Sequence, residues 1–307
     1  MRRIALALMF VLLALGLIEV GVEAARKLRV VATIPDLKSL TEAVGGDLVE
    51  VDSLTRGTQN FHEAEVRPSM MLKLRRADAL IENGVELDRW ADVAVTGANN
   101  PNIILGAPGR IEISRGIPLL EVPTTRVDRS MGDVHPLGNP HFSLDPGLAP
   151  IITQNILDGL ARLAPENRPA FEKNRQAFLQ KLAGEMDRWI KLMEPVRGAK
   201  VVAYHPDFIY FVTRFGLVQT GTLEDRPGIP PSPQHLARLI NQMKAEQVKV
   251  ILVEPWNDLK LAERVASEVG SGARAFVMAS SVGAVKGADN YFAAIDYNVT
   301  TMAQALK

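Results

Sequence analysis

The sequence predicts an α/β protein with two parallel-sheet α/β domains joined by one long backbone helix. Three observations predict it. Short apolar, β-branched runs alternate with helical patterns in both halves, the rhythm of a parallel sheet with helices on its faces. That rhythm breaks once, at a long amphipathic pattern between Pro165 and Pro195. A length of 307 residues with 47% apolar content is enough for two domains with real cores.

The first element is an export signal. In "MRRIALALMFVLLALGLIEVGVEAARKLRV" two arginines precede an apolar run from Ile4 to Ile18, and Val22 and Ala24 follow at signal-peptidase spacing. The run is shorter than the roughly 20 residues that span a bilayer. A signal peptide over residues 1–24, cleaved after Ala24, is expected. An N-terminal α/β domain over 26–165, a linking helix over 166–196 and a C-terminal α/β domain over 197–307 are expected to follow.

Leu28–Thr33 reads as a buried strand, and Pro35 starts a helix that stops at Gly45-Gly46. "DLVEVDSL" alternates with period two, as a strand does. "RPSMMLKLRRADALIENG" reads as a cap at Ser69, a short helix and a strand at Ala79–Ile81. In the linking segment Phe171, Phe178, Leu182, Met186, Trp189 and Met193 recur at three- and four-residue intervals. They predict one helix of roughly 25 residues, a rigid spine rather than a flexible linker. The second half repeats the first: "AKVVAYHPDFIYFVTRFGL" is strand, turn, helix; "SPQHLARLINQMKAEQVKVILVEP" is helix, strand; "ADNYFAAIDYNVTTMAQALK" is a closing helix.

Composition narrows the chemistry. With 35 basic and 35 acidic residues the formal charge is zero, so electrostatics give no reason to expect a nucleic-acid partner. There is no cysteine. That excludes disulfides, thiolate ligands and a lipid anchor at the cleavage site, and a soluble periplasmic protein is expected. Any metal must be held by His, Asp, Glu or water.

Of five histidines, three share a setting. His62 lies in "RGTQNFHEAEVRPS", between a strand and a helix. His141 lies in "GNPHFSLDP". His205 lies in "VVAYHPDF", where a buried strand stops at Pro206. Ligands of open α/β sheets bind outside the carboxyl ends of the strands, so these loops can converge on one cleft. His235, in the first turn of a helix in "SPQHLARL", reads as an ordinary solvated residue.

With these motifs the chain resembles the substrate-binding proteins of metal-uptake ABC transporters, the cluster A-I or TroA-like family. The resemblance runs from "VVATIPDLKSLTEAVGGDLVEVDSL" to "YFAAIDYNVTTMAQAL". The family's PHxxEPxPS loop reads "FHEAEVRPS" here, its DPHxWLDP loop reads "NPHFSLDP", and its third ligand precedes an aromatic helix, as in "YHPDFIYFVTRFGL". The resemblance implies that His62, His141 and His205 bind one metal ion in the interdomain cleft. It also implies delivery of that ion to a membrane permease and no enzymatic activity. A monomer is expected.

The chain departs from the family at two places. Asn60-Phe61 replace the proline before the first ligand. Ser280, in "FVMASSVGAVKG", stands where relatives carry an aspartate as fourth ligand, which leaves that position to water or to Glu224. Asp289 reads as a helix N-cap, and Glu65 as a brace of the His62 loop. Asp145 reads either as a turn cap or as a brace of an imidazole. His135 is extra, an exposed loop residue or an aid to capture at the cleft mouth.

Three imidazoles with water or one carboxylate favour Zn2+; Mn2+ and iron, which take more oxygen donors, are the alternatives. The rival from another class is a secreted zinc hydrolase, against which stands the lack of an HExxH motif.

Overall fold

Val30, Val31 and Ala32 are buried on both faces of the chain, as the centre of a parallel sheet covered by helices requires. They belong to β1 (Leu28–Ala32), which pairs in parallel with β2 (Val49–Ser53) and β3 (Ala79–Glu82). β4 (Arg110–Glu112) completes a sheet of order β2-β1-β3-β4. The structure is a computed structural model that describes residues 26–128 and 131–307; the expected signal peptide lies outside them.

The second domain repeats the plan. β5 (Lys200–Ala203), β6 (Val218–Thr222), β7 (Val250–Val253) and β8 (Arg274–Val277) form a parallel sheet of order β6-β5-β7-β8. In each sheet the strand order reverses direction around the first strand of the domain, at β1 and at β5. That is the switch point beyond whose carboxyl end an open sheet leaves a crevice. The two α/β domains expected from the sequence are therefore present, with their switch-point loops facing one cleft.

The helices follow the apolar pattern closely. α1 (Pro35–Gly45) starts with proline at its first turn. α2 (Pro68–Arg75) also starts with proline, and Arg67 rather than Ser69 holds the cap position, without a side-chain bond. α3 (Ala91–Ala98) and α4 (Ala149–Leu163) complete the first domain. In the second are α6 (Ile209–Arg214), α7 (Pro233–Glu246), α8 (Leu259–Val269) and α9 (Tyr291–Ala305). The cap of α9 is Asn290, whose side chain accepts from the Ala293 amide, one residue beyond the expected Asp289.

The linking helix, α5 (Arg168–Met193), has 26 residues, about 39 Å at 1.5 Å per residue. Phe171, Phe178, Leu182, Trp189 and Met193 form its buried stripe. The stripe packs against both domains. Asn174 Nδ2 donates to the Val44 carbonyl of α1 at 3.1 Å, and Trp189 Nε1 donates to Asp296 of α9 at 3.0 Å. One continuous hydrophobic cluster runs through Ile81, Phe142, Phe171, Trp189, Val201 and Ile295, so the domains share a core instead of meeting at a wet interface.

Candidate metal centre

Each of the three histidines is fixed by its own loop before it meets the others. Phe61 is buried, its carbonyl accepts from Trp90 Nε1 at 2.8 Å, and its ring lies 5.9 Å from that of Trp256 in the other domain. The next residue, His62, is thereby turned into the cleft, with its amide donating to Asn60 Oδ1 at 3.0 Å. Asn139 does the same for His141: its Oδ1 accepts from the His141 amide at 3.0 Å, and its Nδ2 donates to the Pro206 carbonyl at 2.9 Å. That second bond ties the His141 loop to the residue after His205. Asn83, at the end of β3, donates to the Pro140 carbonyl at 3.0 Å. His205 ends the β5 run in extended backbone just before the tight turn Pro206–Phe208.

The three rings converge. Centroids of His62 and His141 are 5.0 Å apart, of His62 and His205 5.3 Å, and of His141 and His205 6.1 Å. The planes are inclined by 57° to 83°, so the rings radiate from a common point rather than stack. His62 Nε2 and His141 Nε2 face each other at 3.1 Å. A fourth side chain joins them: Asp207 Oδ1 is 2.9 Å from His141 Nε2 and 3.5 Å from His205 Nε2. One donor atom from each of His62, His141, His205 and Asp207 lies within 4.8 Å of the others. Donors about 2.0–2.1 Å from a tetrahedral metal are about 3.3 Å apart, the same scale as these separations. The centre lines a cavity of about 290 Å³ that also touches Glu121, His135 and Thr222.

The far nitrogens of two rings are occupied. Glu224 Oε2 takes His205 Nδ1 at 2.7 Å and is itself held by the Gly228 amide at 2.7 Å. Glu224 thus orients His205 from behind and is not free to swing onto a metal as the sequence allowed. His135 Nε2 lies 3.1 Å from His62 Nδ1, while the His135 ring also bonds to the Val85 backbone. The network is satisfied when His135 donates to Val85 and accepts from His62 Nδ1–H, which leaves His62 Nε2 with its lone pair toward the centre. His135 is half-buried and braces His62, and so is not the exposed loop residue that the sequence allowed.

The electrostatics suit a dication. Burial, then the neighbouring imidazoles, push His62 well below the ordinary histidine range, and the same causes lower His135 to about 4. Burial pulls His205 down as well, but the Glu224 bond and the charges of Asp207 and Glu254 outweigh it and raise His205 to about 9. Burial would raise Asp207, yet His141, His205 and His135 hold it below the usual carboxylate range. Glu254, fully buried, is pushed well up by burial and by the Asp207 charge.

Other sequence expectations fare unequally. Asp145 is a cap, accepting from the Gly147 amide at 2.7 Å, and its remaining partner is Arg214 rather than an imidazole. Glu65 braces nothing near His62; it is exposed and pairs with Arg67 at 3.8 Å. Glu63 is exposed. Ser280 is buried with a hydroxyl that has no hydrogen-bond partner. His235 bonds the Thr222 carbonyl at 2.9 Å and stays outside the group of four. The residue missed from sequence is Asp207. The signal was there, an acid two residues from a candidate ligand across a proline, but it lay inside a stretch read only as the start of an aromatic helix.

Known proteins share this arrangement of domains. The chain is similar to the high-affinity zinc uptake system protein ZnuA of Bacillus subtilis (strain 168), 25% identical over 248 residues, 80% of this chain and 76% of that protein. It is similar to the iron-binding protein YfeA of Yersinia pestis, 23% identical over 290 residues, 92% of this chain and 87% of that one. Among solved structures, a crystal structure of ZnuA matches with a TM-score of 0.76 at 25% identity, over 92% of this chain and 100% of the other. The family model described as zinc-uptake complex component A, periplasmic, matches residues 30–305. The chain belongs to that family, the metal-binding components of ABC transporters, and is a transport protein and not an enzyme.

Proposed function

We propose that this chain captures one zinc ion in the periplasm through His62, His141 and His205 and delivers it to the permease of an ABC transporter. The observation that carries the reading is the convergence of three imidazole Nε2 atoms, two of which have their far nitrogens held by Glu224 and His135. Imidazoles fixed from behind need not reorient to take up an ion. A nitrogen-rich set favours zinc; iron or manganese is the second reading, supported by comparable similarity to an iron-binding protein. The hydrolase alternative is set aside by family membership.

In this reading residues 1–24 direct export and are removed, and the mature chain works as a soluble monomer. Its lack of cysteine leaves no thiol for a lipid anchor. Among the described residues no helix is long and apolar enough to cross a membrane. Residues 26–165 and 197–307 act as two jaws on the helix of 166–196. Calorimetry on chelator-stripped mature protein tests the capture step. The expected stoichiometry is one zinc ion per chain, with affinity lost severely in each of His62→Ala, His141→Ala and His205→Ala. Three variants that bind zinc as the unaltered chain does would reject the reading.

A further inference from the structure

Asp207 is a charged group in an expensive place. It sits on the turn Pro206–Phe208, is 0% exposed, and neither of its oxygens accepts a hydrogen bond. Buried carboxylates persist where they are paired, bonded or bound to a metal. Pairing with the imidazoles accounts for one oxygen at most: Oδ1 lies near His141 and His205, while Oδ2 has no partner. The His205 Nδ1–H already goes to Glu224, and the 3.5 Å between His205 Nε2 and Asp207 Oδ1 is too long for a charge-assisted bond. Asp207 Oδ1 is 2.9 Å from His141 Nε2, at ion-pair distance. A carboxylate oxygen and an imidazole nitrogen that close, facing the same space, are placed as co-ligands of one ion are. The space in front of this oxygen is shared with one donor nitrogen each of His62, His141 and His205.

We propose, resting on the three-histidine reading above, that Asp207 is the fourth metal ligand and takes over the role of the carboxylate that this chain lacks at Ser280. Glu224, the acid considered from the sequence, is already engaged: its Oε2 is shared by His205 Nδ1 and the Gly228 amide. The second domain then supplies both of its ligands, His205 and Asp207, from a single turn stiffened by the proline between them. The first domain supplies His62 and His141 from two loops. The donor set is three nitrogens and one anionic oxygen, which completes a tetrahedral zinc sphere and removes one unit of the ion's charge. The oxygen also makes Asp207 the ligand on which binding of a harder ion such as manganese depends most.

The test is competition titration of Zn2+ and Mn2+, with Co2+ absorption spectra, on the full mature chain carrying Asp207→Asn or Asp207→Ala. Zinc affinity is expected to fall on the order of 100-fold or more, beyond what the loss of a supporting group costs. Manganese affinity is expected to fall further, and the visible Co2+ bands are expected to shift. Unchanged zinc affinity with an unchanged Co2+ spectrum overturns the assignment. If those variants do not fold, a zinc-bound structure of the unaltered chain decides: an Asp207 oxygen about 2.0–2.2 Å from the ion supports the assignment, and both oxygens beyond contact reject it. Failure here is distinct from failure of the parent reading. Loss of binding in His62→Ala and His205→Ala, with binding intact in Asp207→Asn, removes Asp207 alone.

Discussion

Arg214 of the second domain grips Asp145 of the first with two bonds, Nε to Oδ1 at 2.5 Å and Nη2 to Oδ2 at 2.8 Å. The pair joins the helix that follows His205 to the loop that carries His141. Tyr210, on the same helix, accepts from the Leu120 amide at 2.9 Å and donates to the Asn139 carbonyl at 2.8 Å. Two of the candidate ligands are therefore positioned by one interdomain network. Arg214→Met should cost about 1 kcal/mol of stability, because the arginine is partly exposed and its pairing is screened. It should also weaken zinc binding up to about 10-fold, the lower end for a supporting group. Thermal melts with chelator and zinc competition check both. A lower melting point with unaltered affinity would restrict the pair to a structural role.

His135 should act through His62. His135→Ala should lower zinc affinity about 10–100-fold with the stoichiometry still one ion per chain. His135→Gln, whose amide oxygen can accept from His62 Nδ1, should recover part of the loss, and His135→Leu should not. A second, weaker zinc site that disappears with His135 would instead make it a ligand.

The domains should not swing apart when metal leaves. Beyond α5, Asp36 of α1 accepts from the Ser281 hydroxyl and, at 3.3 Å, from the Val282 amide, and Tyr291 Oη donates to the Ser143 carbonyl at 2.8 Å. Trp189 is fully buried in the shared core, and its truncation to alanine should cost roughly 3–5 kcal/mol. Structures of metal-free and zinc-bound protein should differ in the loops around His62 and His135, with the two sheets keeping their mutual orientation. A large rotation of one sheet against the other would contradict this.

Asp36 gives a pH signature from outside the four candidate ligands. Burial raises its folded-state pKa from 3.8 to about 6, against the lowering effect of the Ser281 and Val282 bonds and of nearby His141. The folded chain thus holds a proton that the unfolded chain releases. The resulting stability is fully present below pH 3.8 and is lost as pH rises through about 6. At 1.36 kcal/mol per unit this is about 3 kcal/mol. Urea unfolding with chelator should show Asp36→Asn gaining up to about that much on the unaltered chain between pH 4 and pH 7.5. A constant difference across that range would mean that Asp36 stays ionised in the fold.

The fold was legible because its signals are local. Proline at the first turn of α1, the apolar run of β1 and the stripe from Phe171 to Met193 each specify an element without reference to the rest of the chain. Helix starts were less so, as Ser69 and Asp289 show: α2 opens on Pro68 with no side-chain cap, and Asn290 caps α9 one residue beyond Asp289. The three histidines were legible from their place after strands and from family motifs. Their supports were not. Glu224 reaches His205 across 19 residues and His135 reaches His62 across 73, and only the sheet order brings them together. Asp207 was hidden for another reason, since an acid beside a helix start is usually a cap, and only its burial without a hydrogen bond distinguishes it.

Anomalous scattering at the zinc edge from crystals of the zinc-loaded mature chain tests the three-histidine centre most directly. Expected is a single strong peak about 2.0–2.1 Å from the Nε2 atoms of His62, His141 and His205. A peak elsewhere on the chain, or one touching fewer than three of these imidazoles, would contradict the proposed centre.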